Sequence, residues 1–271
     1  MQIILETVRV TVSSGFLFYA SWSDYKNREV SNRVWVLLAP SALLLSLVEL
    51  LLYEPSKLPL LGLSFGITTF IAIILFYSGG FGGADSKALM CIALALPFAP
   101  QTLFAPILAA GVSPLSQNLY PLTIFSNAVL LAAASGIYML LRNIIWHKKT
   151  GKKTFNGTLA TEPLGKRIIA LITGYKVSVA KLKEKWHVYP MEDVEEESVE
   201  NPFKRKLVVV PKDEGRDEIV ARLSKAVDAG KIDAYVWATP GLPMLIFLTI
   251  GLIIALLFGD LVWMLVSFIL G

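Results

Sequence analysis

The strongest constraint on this chain is the recurrence of apolar runs about as long as a lipid bilayer is thick. A hydrocarbon core of ~30 Å is crossed by about 20 apolar residues in a helix rising 1.5 Å per residue. Six such segments are legible, at residues 3–22, 33–53, 58–78, 86–110, 121–146 and 240–270. The last is long for one span, and Gly259-Asp260 is expected to break it. Hydrophobic residues make up 55% of the chain, against roughly 45–50% in soluble domains. The expected fold is a polytopic α-helical membrane protein with six transmembrane helices. Residues 1–146 hold helices one to five, and residues 240–271 hold the sixth. A small α+β cytoplasmic domain at residues 147–239 is inserted before that last helix.

Charge placement gives the expected orientation. The first connection carries Lys26, Arg28 and Arg33, and the fifth opens with Arg142, His147, Lys148, Lys149, Lys152 and Lys153. The second and third connections hold one lysine each, Lys57 and Lys87, and the fourth holds no charge. By the positive-inside rule the amino terminus lies outside and the odd-numbered connections face the cytoplasm. Of 25 Lys and Arg residues, 19 fall between Arg142 and Lys231. The basic balance therefore follows from topology, and no nucleic-acid partner is implied. Glu6 and Arg9 in the first run read as a paired or snorkelling couple near a helix end, and no cleavable signal peptide is expected.

Within the insert, residues 206–210 and 234–238 read as strands from their β-branched and aromatic content. Asp217 to Ala229 reads as an amphipathic helix, with Ile219, Val220, Leu223 and Val227 on one face. Residues 167–185 fit either strands or helix. The acidic run from Glu192 to Glu200 reads first as a solvated linker and alternatively as an attractor for a basic substrate segment.

Two carboxylates at membrane borders carry the chemistry. Asp85 follows Gly79, Gly80, Gly82 and Gly83 between two apolar runs, and Asp24 follows the first run. An acidic side chain at a helix centre in a membrane costs roughly 3 kcal/mol, so it marks a functional site by default. The orientation above puts both at the cytoplasmic border. Taken alone, Asp24 fits an interfacial residue and Asp85 fits a helix N-cap. Taken together, two carboxylates sharing a proton can activate water and protonate a carbonyl oxygen, which is what peptide hydrolysis needs. Such a pair titrates as a unit, which leaves open which carboxylate acts as base. No cofactor is required. The lone Cys91 and the separated His147 and His187 offer no metal-ligand spacing. No nucleophile elbow or phosphate-binding glycine loop is present. Glu49 and Asp260 fall toward the outer side and are expected to tolerate neutral substitution.

At these residues the chain resembles a known family. Gly82-Gly83-Ala84-Asp85 is similar to the glycine-x-glycine-aspartate (GxGD) signature of intramembrane aspartyl proteases. Asp24-Tyr25-Lys26-Asn27-Arg28 resembles the other catalytic-aspartate motif of the type IV prepilin peptidase group. Residues 186–192 and 240–243 add likeness to its archaeal preflagellin peptidase branch. The chain departs from the pattern at Ala84, which replaces the second glycine of the signature. Val30-Ser31-Asn32 stands where bacterial relatives carry Ile-Pro-Asn. The bacterial cysteine-rich zinc region is absent, so the resemblance does not extend to amino-terminal methylation. It implies an aspartic endopeptidase of the cell membrane with Asp24 and Asp85 catalytic and Gly82, Gly83 and Ala84 as motif support. The implied partners are flagellin or pilin precursors with basic leader peptides. A proton-coupled transporter using the same aspartates as relay sites, and a membrane anchor whose insert binds a partner, are the readings from other classes.

Overall fold

The computed structural model describes residues 1–195, 204–209, 215–241 and 243–270. The chain divides into two compact units, Met1–Ala132 with Pro243–Gly271, and Ala133–Leu242. The first of the two boundaries, at Ala132, falls inside a helix, Tyr120–Thr150.

The first unit is helical. Its elements are α1 (Gln2–Asn27), α2 (Asn32–Tyr53), α3 (Leu58–Tyr77), α4 (Gly83–Ala95), α5 (Pro114–Asn118), the first part of α6 (Tyr120–Thr150), and, later in the chain, α10 (Met244–Leu257) and α11 (Leu261–Leu270). Among the described residues four helices, α1, α2, α3 and α6, are long and apolar enough to cross a membrane. The α10–α11 pair, bent by 63°, makes a fifth if counted as one span. The expected break at Gly259-Asp260 is therefore present, with Gly259 at φ 82°.

The expected fourth span, residues 86–110, forms a helix only as far as Ala95, 13 residues in all. At 1.5 Å per residue that is about 20 Å, short of the ~30 Å core. The cause is local. Pro97 disfavours helical backbone at Leu96 and brings no N–H of its own. Leu96 accordingly leaves the helix at φ −132°.

Small and polar residues set the packing. The buried face of α3 is Leu61, Ser64, Thr68 and Ala72, a three-to-four spacing of mostly small side chains that lets neighbouring helices approach. At Gly251 a Cβ would stand 2.6 Å from the Ile124 carbonyl oxygen, so α10 closes on α6 where no side chain intervenes. The core of this unit gathers Leu17, Ala20, Leu38, Leu89, Ile92, Ile124, Leu245 and Leu248. Large apolar side chains such as Leu63, Phe70 and Ile74 face outward, as expected of a surface solvated by lipid rather than water.

Arg9 does not pair with Glu6. Its guanidinium is bound to Glu49, with Nε–Oε2 at 2.7 Å and Nη2–Oε1 at 2.9 Å, and both residues are buried. Glu6 instead accepts the Thr102 amide at 3.1 Å and the Thr102 hydroxyl. Asp260 is also buried and accepts from Ser113 Oγ at 2.7 Å and the Trp263 amide at 3.0 Å. Glu49 and Asp260, expected to tolerate neutral substitution, are thus each committed to internal partners.

The second unit adds α7 (Leu164–Thr173), β1 (Tyr175–Ser178), α8 (Val179–Glu184), β2 (Tyr189–Pro190), β3 (Glu192–Glu195), β4 (Lys204–Leu207), α9 (Arg216–Asp228) and β5 (Tyr235–Thr239). One sheet runs β1-β5-β2 and another pairs β3 with β4, all antiparallel. The ambiguous stretch 167–185 resolves into helix, strand and helix. The strand expected at 206–210 is centred earlier, and Val210 lies outside the described residues. Val220 and Leu223 of α9 pack on Val177, Leu182 and Val236, completing a small core. Trp237 of β5 is fully buried and stacks on Phe155 at 5.1 Å.

The acidic run is not a solvated linker where it is described. Glu192 is 0% exposed. It pairs with Lys176 at 2.8 Å and with Arg205, and accepts the Trp237 amide at 2.7 Å. Asp193 pairs with Arg222 at 2.9 Å. Pairing as β3 with β4 orders the segment, and its acids then meet cations of other elements as well, Glu192 reaching Lys176 of β1 and Asp193 reaching Arg222 of α9. Glu196, Glu197 and Glu200 lie outside the described residues.

Candidate active site

Three helix ends meet around the two aspartates. Asp24 sits in the last turn of α1. That helix ends at Arg28, which takes a left-handed conformation at φ 56° and returns its amide to the Asp24 carbonyl at 2.8 Å. Glycine or asparagine usually occupies such a position, so an arginine held there is a local strain that suits a functional segment. The charge of Arg28 acts on the Asp24 carboxylate. Ser23 Oγ donates to the Glu29 carbonyl at 2.8 Å and fixes the turn that follows.

Asp85 lies in the first turn of α4, at its third helical position, so it is not the N-cap. Gly82 occupies that place. The Asp85 side chain reaches back to accept the Gly82 amide at 3.0 Å, which satisfies one of the orphan donors of the helix start. A Cβ on Gly82 would stand 3.1 Å from Asp85 Oδ2, so glycine leaves the carboxylate room. Upstream, Gly79 at φ 76° turns the chain out of α3. Ser86 Oγ reaches the Ala72 carbonyl at 3.3 Å and the Gly82 carbonyl at 3.2 Å, tying the start of α4 to α3. Phe81 packs edge-on against Phe125 at 5.7 Å. Lys87 donates to Asn32 Oδ1 at 2.7 Å, joining α4 to the start of α2.

The third contribution comes from α10. The backbone amide of Leu245, one residue past the start of that helix, faces Asp85. The Leu245 carbonyl accepts from Ser21 Oγ at 2.9 Å and from Thr249 Oγ1 at 2.9 Å, and the two hydroxyls lie 2.7 Å apart. Ser21 is one turn before Asp24 on α1, so the residue of α10 that faces Asp85 is also bonded to the helix that carries Asp24.

The fold brings Asp24 and Asp85 within electrostatic reach of one another. Among the described residues no hydrogen bond joins the two carboxylates. Both are half-buried, which leaves access from outside. Gly82 adjoins the Asp85 carboxylate, Gly83 opens α4 beside Phe76, and Ala84 packs against the apolar core. Sequence reasoning missed Ser21, Thr249 and the Leu245 amide. A serine and a threonine inside apolar helices give no distinctive pattern, and a backbone amide gives none at all. The one available signal was Pro243 just before the last apolar run, which predicts a helix start with unpaired amides.

Residues 11–137 match the model of the Type IV leader peptidase family. Residues 166–261 match the model described as Archaeal Peptidase A24 C-terminus Type II. Between them the two models cover most of the chain, which is thus similar over most of its length to the type IV leader peptidases and the archaeal A24 peptidases. It is similar to the Preflagellin peptidase of Methanococcus voltae, 29% identical over 250 residues that cover 90% of this chain and 92% of that protein. It is also similar to the Preflagellin peptidase of Methanococcus maripaludis, 22% identical over 253 residues with coverage of 90% and 92%.

Proposed function

We propose that this protein is a membrane aspartic endopeptidase that removes short basic leader peptides from preflagellin or related precursors. The observation that carries the proposal is the convergence of Asp24 and Asp85, from separate helices, within reach of each other's charge. The family-model matches and the names of the two relatives support the substrate class.

In this mechanism the ionised member of the pair takes a proton from water as the oxygen attacks the scissile carbonyl carbon. The protonated member donates to the carbonyl oxygen. Collapse of the tetrahedral intermediate breaks the carbon–nitrogen bond, the amine leaves with a proton, and the leader retains the new carboxyl group. The half-burial of both carboxylates supports admission of an extended peptide between them. The basic residues of the first and fifth connections support an amino terminus outside and cleavage at the cytoplasmic border of the cell membrane.

The test is cleavage of a leader-bearing preflagellin by membranes carrying the protein, read as a mobility shift. Asp24→Asn and Asp85→Asn should each abolish the shift while the protein remains in the membrane. Near-normal cleavage by either variant overturns the two-aspartate mechanism.

A further inference from the structure

We infer that Arg9 is a positioning residue for the aspartate pair, acting at the far end of the helix that carries Asp85; this rests on the function proposed above. A helix leaves its last carbonyls without intrahelical partners, and in a membrane no water is at hand to satisfy them. At the end of α4, Pro97 prevents continuation of the helix and supplies no donor. The Ala95 carbonyl is instead met by Arg9 Nη1 at 3.2 Å and by Ser46 Oγ at 3.2 Å, and the Leu94 carbonyl by Ser46 Oγ at 2.6 Å. Arg9 also donates to Ser46 Oγ at 3.4 Å. A buried cation at this place complements the negative end of the helix dipole. Glu49 makes its burial tolerable by neutralising it at 2.7 Å.

The geometry makes this more than a clamp. Arg9 and Asp24 belong to the same helix, α1. Asp85 and Ala95 lie at opposite ends of α4. One helix therefore grips α4 at its carboxyl end through Arg9 and faces it at its amino end through Asp24. The grip sets the register of α4 against α1. A slip of one residue would shift Asp85 by about 1.5 Å along the axis and turn it by about 100°. A misplacement of that size is enough to reduce turnover about 100-fold.

The test compares proteins in detergent or native membranes. The double variant Arg9→Met with Glu49→Leu removes both buried charges while keeping volume, and thermal unfolding checks that it folds. Its kcat for preflagellin cleavage is expected to fall about 10-fold or more with KM nearly unchanged. Arg9→Lys, with Glu49 kept, is expected to recover part of the loss, because an ammonium can still donate to the Ala95 carbonyl. A second readout does not depend on catalysis. In a Cys91→Ala background, Asp24→Cys and Asp85→Cys are crosslinked with a short bifunctional thiol reagent, with and without the Arg9 and Glu49 changes. A change in crosslinking yield supports the positioning role. An unchanged yield in the folded double variant overturns it. Should the double variant not fold, Ser46→Ala takes its place under the same criterion, since it removes one cap and leaves the ion pair intact. Full activity of Asp24→Asn would sink the dyad itself yet leave the crosslinking comparison valid, so the two failures are distinguishable.

Discussion

Ser21 and Leu245 are joined by a hydrogen bond of 2.9 Å, from the serine hydroxyl to the leucine carbonyl. The amide of the same leucine faces Asp85, while Ser21 precedes Asp24 by one turn of α1. The start of α10 is thereby a bridge between the two helices that present the carboxylates. Ser21→Ala, or Thr249→Val beside it, should leave the protein folded, since a single hydroxyl bond between membrane helices is worth about 0.6 kcal/mol. Loosening the bridge should nonetheless lower kcat about 10-fold, with KM little changed. Steady-state kinetics on a preflagellin substrate would decide this; a change confined to KM would argue against the bridge.

Two glycines near Asp85 should behave differently. Gly82→Ala puts a methyl carbon 3.1 Å from Asp85 Oδ2, and the carboxylate must move to accept it. Cleavage should fall about 10-fold or more with little loss of thermal stability. Gly79→Ala meets no atom within 4 Å but must hold φ at 76°, which costs roughly 1–2 kcal/mol. It should lower the melting temperature while activity at low temperature stays close to wild type.

Glu49→Gln and Asp260→Asn should fail as neutral controls. Glu49→Gln leaves the buried Arg9 without its counter-charge, and breaking one side of such a pair costs about 3–5 kcal/mol. Asp260→Asn weakens the acceptor of Ser113 Oγ and the Trp263 amide, at about 1–3 kcal/mol. Thermal unfolding in detergent would rank the two, with Glu49→Gln the lower.

In the second unit, Glu192→Gln should be severe. It leaves Lys176 and Arg205 buried with one neutral partner, again at about 3–5 kcal/mol. Limited proteolysis of the full chain should then cut this unit at temperatures where the wild type resists. Lys176 adds a pH dependence. Burial lowers its pKa below 10.5, opposed by the Glu192 charge. The unfolded chain thus binds more protons between the lowered value and 10.5, so this residue's contribution to stability rises with pH across that window and is lost as pH falls through the folded value. Lys176→Met should flatten the alkaline part of the stability profile; an unaltered profile would show that Lys176 keeps its ordinary value.

The sequence by itself determined the membrane class, the break at Gly259-Asp260, the amphipathic helix read at residues 217–229 and the two aspartates as the acids to watch. These follow from local quantities. Apolar run length maps directly onto bilayer thickness, and a carboxylate beside such runs is costly wherever the chain folds. Tertiary structure alone decided which charges meet. Arg9 pairs with Glu49 across 40 positions, and Thr102 takes Glu6 across 96. Tertiary packing turned Glu192 and Asp193 from apparent linker acids into buried partners of Lys176 and Arg222. The approach of Asp24 to Asp85, 61 positions apart, belongs to the same kind of fact. Nothing in chain spacing enforces it; it depends on how α1, α4 and α10 pack against one another.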